Sequence, residues 1–208
     1  QEVDIKNYPQ RRDLTGELLF TIDGKDAKDL DDAVSLKKND DGTYLLGVHI
    51  ADVGEYVRLD STLDKEAYTR GTSIYFLDYV IPMLPKELSN GICSLNEGVS
   101  RLALSVLMTI DKEGNVTNSE IFESVIKSKH RLNYDEVLEV LEGNKKTQKR
   151  LSDVTPMLLD MLELSNILDA RRKKFGSLDF DLPEGEVLTD ENDKPTQIIK
   201  RKATKPTK

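Results

Sequence analysis

A chain of 208 residues with 38% hydrophobic and 33% charged side chains, 12 Gly and 7 Pro has the composition of a folded globular protein and the length for one large domain, so disordered and fibrous classes are excluded. The net charge of −8 argues against a nonspecific nucleic-acid coat, but residues 1–100 carry 11 Lys or Arg against 19 Asp or Glu while residues 101–208 balance at 19 against 19, which points to a local cation site. A single cysteine, Cys93, supports neither an internal disulfide nor a Cys-rich zinc site; it reads as a small buried apolar residue in a cytoplasmic protein.

In chain order, "GELLFTID" reads as a strand, followed by "AVSLKK" and "TYLLGVHIAD", two strands joined by the turn "NDDG" at Asn39 to Gly42. "STLDKEAYTRG" reads as a short helix, with Ser61 or Thr62 as N-cap and Gly71 as its stop. "SIYFLDYVIPMLP" reads as extended segments broken by Pro82 and Pro85, and "KELSNGICSL" as a turn of helix leading to a structural loop. "RLALSVLMTID" and "VTNSEIFESVIKS" flank "KEGN" as a second hairpin. The apolar run Leu102 to Ile110 is about half the length needed to cross a bilayer, and no signal-peptide pattern opens the chain, so membrane and secretory readings drop out.

The second half turns helical. "NYDEVLEVLEG" is capped by Asn133 and stopped by Gly143, and "TPMLLDMLELSNILDARRKKFG" carries Pro156 in its first turn and Gly176 past its end. The basic run Arg171 to Lys174 falls in the last turn, where the helix dipole favours cations, and it could also contact phosphates. "SLDFDLPEGEVLTDENDKPTQIIKRK" returns to short strands and turns, and residues 201–208 read as a basic, unstructured tail. The expected architecture is α+β: a mostly antiparallel, barrel-like sheet built early, with helices added from the second half, and a domain running over residues 1–200.

Five aspartates, Asp23, Asp26, Asp29, Asp31 and Asp32, crowd ten positions after the first strand. The segment is too rich in Asp for regular structure and reads as a loop curling back to the strand end. Carboxylates so close raise one another's pKa and cost stability unless a divalent cation neutralises them. Oxygen-only ligands suit Mg²⁺ or Mn²⁺, and two such ions about 4 Å apart can activate water and stabilise the leaving oxygen of a phosphodiester. Three rivals stand beside this reading. An EF-hand loop counted from Asp29 needs Gly and Glu where Val34 and Asp40 stand. The other two are a solvated acidic loop and the Asp-x-Asp metal site of glycosyl transferases, which would go with alternating strands and helices.

"TIDGKDAKDLDDAV" resembles the catalytic signature of the ribonuclease II and ribonuclease R exoribonucleases. The likeness continues through "HIADVGEYV", "LDKEAYTRGTSIYF", "VIPMLPKELSNGICSLNEGVSRLALSVLM" and "GSLDF", roughly Tyr8 to Lys200, and is nearest the bacterial ribonuclease R branch. The resemblance implies a metal-dependent enzyme that degrades single-stranded RNA processively from its 3′ end to nucleoside 5′-monophosphates. It implies that Asp23 and Asp32 hold Mg²⁺, for which Mn²⁺ can substitute, with Asp29 and Asp31 completing the metal site. Asp29 supports the site, and Asp31 is the residue most needed for cleavage. Asp26 falls between the motif positions as a solvated residue. Tyr75 matches the tyrosine that clamps a terminal base and Phe180 its partner across the stacked nucleotides, whereas His49 packs or hydrogen-bonds rather than acting as a base.

The family's cold-shock-like modules, its S1 module and a later arginine pair that serves the scissile phosphate have no counterpart in these residues. The chain therefore reads as a fragment: the parent is expected to be monomeric, while the isolated piece is expected to bind Mg²⁺ weakly, show little exonuclease activity and self-associate through exposed core surface. A noncatalytic RNA-binding role of the same fold is the alternative.

Overall fold

A computed structural model describes residues 2–76, 79–178, 185–191 and 194–200. The sheet begins with β1 (Arg12–Leu14), β2 (Phe20–Asp23), β3 (Asp32–Lys38) and β4 (Tyr44–Ala51). Helix α1 (Thr62–Arg70) and a small hairpin, β5 (Ile74–Tyr75) with β6 (Val80–Ile81), follow, and a π-helical turn over Glu87–Ile92 leads into the long hairpin β7 (Ser100–Ile110) and β8 (Val116–Lys127). The chain then runs through β9 (His130–Asn133), α2 (Tyr134–Leu141), α3 (Lys145–Arg150) and α4 (Thr155–Lys174), and ends in the hairpin β10 (Gly185–Thr189) and β11 (Pro195–Lys200).

Seven strands form one sheet in the order β1-β8-β7-β4-β3-β2-β9. The four inner pairings are antiparallel, and the two outermost, β1 on β8 and β9 on β2, are parallel. The α+β expectation holds, with a sheet that is mixed at its edges and antiparallel in its body. Asn39 and Thr43 close the β3–β4 turn through the Asn39 N–H, which donates to the Thr43 carbonyl at 2.8 Å, and Gly42 adopts φ +81° there. Ser61 caps α1 by accepting from the Asp64 N–H, and Asn133 caps α2 in a full capping box with Glu136. Pro156 opens α4, as the sequence implied.

The two faces of the sheet bury different partners. On one, Leu30, Ala33, Ala51 and Ala103 pack with Cys93 and Leu95 from the segment after the π turn. On the other, Phe20 and Leu132 pack beneath Val137, Val140, Val154 and Leu158 of the helical half, and Leu36, Tyr44 and Ile110 meet Leu164 of α4. The small alanines on the first face let the Cys93–Leu95 segment lie close to the sheet. That approach positions the acid loop.

A polar chain crosses four strands within the sheet. The Ser124 hydroxyl donates to the Ala103 carbonyl, Ser105 Oγ lies 2.6 Å from Ser124 Oγ, His49 Nδ1 lies 2.7 Å from Ser105 Oγ, and His49 Nε2 lies 3.2 Å from Ser35 Oγ. With Ser124 committed to Ala103, the chain is satisfied when Ser105 donates to Ser124, Nδ1–H donates to Ser105 and Nε2 accepts from Ser35. His49 is buried, its pKa pushed down to about 4 by desolvation, and it serves as a packed, neutral hydrogen-bonding residue. Gly47 leaves room for this chain, since a Cβ there would stand 2.3 Å from Ser35 Oγ and 2.9 Å from His49 Nε2. Among the described residues no helix is long and apolar enough to cross a membrane.

Candidate active site

The acids sit where two antiparallel strands part. Asp23 is the last residue of β2 and Asp32 the first of β3, so residues 24–31 form the irregular connection between them. Repulsion among the side chains and poor strand propensity keep this stretch out of the ladder, and the loop must find its backbone partners elsewhere.

It finds them on three sides. The buried Ser94 hydroxyl accepts from the Leu30 N–H at 3.1 Å and donates to the Lys28 carbonyl at 2.8 Å. The Leu95 N–H donates to the Leu30 carbonyl at 2.9 Å, and the Ala51 N–H to the Asp31 carbonyl at 2.9 Å. From β9, whose register sets Arg131 beside Thr21, the Arg131 guanidinium donates to the Lys25 and Ala27 carbonyls. The Leu30 side chain is fully buried in the core and anchors the loop near its end.

These anchors hold like charges in mutual range. Asp23 is pushed up to about 6, first by burial and then by the neighbouring Asp32 and, more weakly, Asp31. The Arg131 cation pulls the other way. Neither Thr21 Oγ1 nor Asp23 Oδ2, both buried, stands in hydrogen-bonding geometry to any partner. Asp31 is likewise raised by burial and by Asp29 and Asp32. Asp29 accepts a hydrogen bond from the Tyr75 hydroxyl at 3.1 Å, while Asp26 is exposed.

The donor set is made of carboxylate oxygens, one of them a buried, partnerless oxygen on a group whose charge is held against desolvation and two like charges. That is the environment a hard divalent cation would relieve, so the residues fit Mg²⁺ or Mn²⁺ in kind. Among the described residues no three His, Cys, Asp or Glu side chains already stand grouped to hold a metal ion. The acids are coupled through their charge and have not drawn together into a ligand shell.

Of the two aromatic positions, Tyr75 lies in β5 and is 66% exposed, and its hydroxyl joins it to the acids. Cross-strand pairing puts Val80 opposite it, and Phe76 stacks on Tyr79 at 4.5 Å between centroids. Phe180 lies outside the described residues. The basic end of α4 behaves as a helix terminus: Arg172 and Lys173 pair with Asp169, and Arg171 donates to Asn115 and lies over the Phe175 ring. Sequence reasoning missed Ser94 and Arg131. A serine in a loop and an arginine in a four-residue edge strand carry no periodic signal, and their role follows from backbone carbonyls far away in the chain.

Comparison with known proteins places these features in a family. The RNB domain matches residues 11–208. Ribonuclease R 1 of Lactococcus lactis is 47% identical over 201 residues, covering 97% of this chain and 25% of that protein. Ribonuclease R of Thermotoga maritima is 49% identical over 198 residues, covering 95% of this chain and 28% of that protein. The structure of Mycoplasma genitalium RNase R in complex with ribose-methylated single-stranded RNA superposes with a TM-score of 0.89 at 33% identity, over 99% of this chain and 32% of the other. The chain thus spans about a quarter of the length of the curated relatives it matches.

Proposed function

Because the chain belongs to the RNB domain family, we propose that it forms the acidic, cation-binding part of a 3′→5′ exoribonuclease that hydrolyses single-stranded RNA processively to nucleoside 5′-monophosphates. The observation that carries this reading is the charge coupling of Asp23, Asp31 and Asp32 around a buried carboxylate oxygen with no partner. The names of the relatives and the RNA in the complex of the Mycoplasma neighbour support it.

On this reading Asp23 and Asp32 hold Mg²⁺, with Mn²⁺ as a substitute, and Asp29 and Asp31 complete the site. When bound, the cation supplies positive charge to the phosphate oxygens and lowers the pKa of water. The protein's own part is to keep the carboxylates near one another, with Asp29 hydrogen-bonded to the Tyr75 hydroxyl, on a loop whose backbone is tied at Lys28, Leu30 and Asp31. Asp31 is the residue on which cleavage depends most. The exposed Tyr75 ring offers a sequence-tolerant face for the last base of the strand, and Phe180 is the second aromatic assigned to stacking the nucleotides. A protein of this kind works on single-stranded RNA in the cytoplasm, as a monomer when whole.

The test is Asp31→Asn in a longer protein containing this region, assayed on a labelled single-stranded RNA with Mg²⁺. Release of monophosphates is expected to fall by about a hundredfold or more, while RNA binding measured with EDTA stays near wild type. Unchanged release would contradict the catalytic assignment, and binding with no release by the wild type would turn the reading toward a noncatalytic RNA-binding role.

A further inference from the structure

The Cys93–Ser94–Leu95 segment reads in the sequence as plain loop, yet it touches the acid loop at three backbone groups. Ser94 accounts for two of them with one hydroxyl, accepting from the Leu30 N–H and donating to the Lys28 carbonyl. The two bonds straddle Asp29 and fix the backbone that leads into Asp31. Ser94 is fully buried, so no water can replace either bond without opening the core. Its own backbone is held from behind by Arg101 of β7, which is buried and donates from Nε to the Ser94 carbonyl at 2.8 Å and from a terminal nitrogen to the Gly91 carbonyl at 3.2 Å. A rigid strand thus sets the segment, and the segment sets the loop.

We infer that Ser94 is a positioning residue for the acids: its hydroxyl, held in place by Arg101, fixes the turn that carries Asp29 and Asp31, and thereby sets the affinity of the site for a divalent cation. This rests on the reading of the acids as a cation site. Polar groups that orient ligands without touching the ion commonly govern metal affinity, because ligands free to spread must be gathered at the moment of binding. The acids here repel one another, so their spacing depends on what the backbone imposes. The other backbone ties flank the turn: Arg131 holds the Lys25 and Ala27 carbonyls before it, and the Leu95 and Ala51 N–H groups hold the Leu30 and Asp31 carbonyls after it, so the Ser94 hydroxyl is what ties the Lys28 carbonyl and the Leu30 N–H on either side of Asp29.

The experiment is a Mn²⁺ titration of this chain followed by electron paramagnetic resonance at neutral pH, for the wild type, Ser94→Ala, Asp23→Asn and Ser105→Ala. Ser105→Ala is the control for stability alone, since it breaks the buried His49–Ser105–Ser124 chain without touching the acid loop. The expected result is that Ser94→Ala weakens Mn²⁺ binding about tenfold or more while Ser105→Ala titrates as the wild type. If Ser94→Ala does not fold, Ser94→Cys, which keeps the shape with a weaker donor, is expected to weaken Mn²⁺ binding more than Ser105→Ala does. Wild-type affinity in the folded Ser94 variant overturns the inference, and so does an equal loss in Ser105→Ala. The two failures are separable: if Asp23→Asn abolishes binding and Ser94→Ala does not, the inference falls and the cation site stands, whereas a wild type that titrates like Asp23→Asn removes both.

Discussion

Tyr75 and Asp29, 46 residues apart in the chain, meet through a hydrogen bond of 3.1 Å in which the phenol donates to Asp29 Oδ2. The aromatic face proposed for the terminal base and the acids proposed for the cation are therefore one connected site. The ring and the hydroxyl have separable jobs. In the longer protein, Tyr75→Ala is expected to weaken binding of a single-stranded oligonucleotide about tenfold, the value of one lost stacking face. Tyr75→Phe is expected to keep that binding in EDTA, because the ring remains. Fluorescence anisotropy separates the two, and a phenylalanine variant as weak as the alanine one would place the contribution in the hydroxyl.

Two groups shifted by desolvation, the half-buried Asp23 and the buried His49, give the metal-free protein opposed pH dependences. Asp23, raised from 3.8 to about 6, contributes stability below about pH 4 that is lost as pH rises through about 6, because the charged form is the one the fold resists. Asp31 acts in the same direction. His49, lowered from 6.5 to about 4, contributes stability above about pH 6.5 that is lost as pH falls toward 4, because only the unfolded chain takes up the proton in that window. For a side chain as buried as His49 this amounts to about 3 kcal/mol at most. Urea unfolding between pH 4 and 6.5 is expected to show stability rising more steeply with pH in Asp23→Asn than in the wild type, and less steeply in His49→Gln. Parallel curves for all three proteins would contradict the assignment.

Gly47 is needed for space rather than for a turn. An added methyl would press on Ser35 Oγ and His49 Nε2 and come within 3.1 Å of Leu107 Cδ2. Relief by rotating Ser35 breaks its hydrogen bond to the histidine inside the sheet. Gly47→Ala is therefore expected to destabilise the protein by about 1–3 kcal/mol, the usual cost of overpacking plus a broken buried hydrogen bond. Denaturant midpoints check this, and an unchanged midpoint would show that the neighbours yield freely.

Much of this architecture was legible in the residues. The β3–β4 and β7–β8 hairpins announce themselves through "NDDG" and "KEGN", and α1, α2 and α4 through Ser61, Asn133 and Pro156, because turn and cap chemistry is local. β1 and β9 were not legible: they are three and four residues long and become strands only by lying parallel to β8 and β2. Helix α3, "KKTQKR", has no apolar face to betray it. The acids stood out as a composition anomaly, but what holds them did not. Ser94, Arg131 and the Tyr75 hydroxyl act across 64, about 105 and 46 residues, and long-range polar contacts leave no period in a sequence.

The central claim is that Asp23 and Asp32, with Asp31 beside them, take up a divalent cation. The most direct measurement is a crystal of this chain soaked in MnCl₂, with anomalous scattering collected for manganese. The account predicts a peak bridging the Asp23 and Asp32 carboxylates that engages the Asp23 oxygen now without a partner. Crystals that bind manganese elsewhere, with these two carboxylates bare, would contradict it.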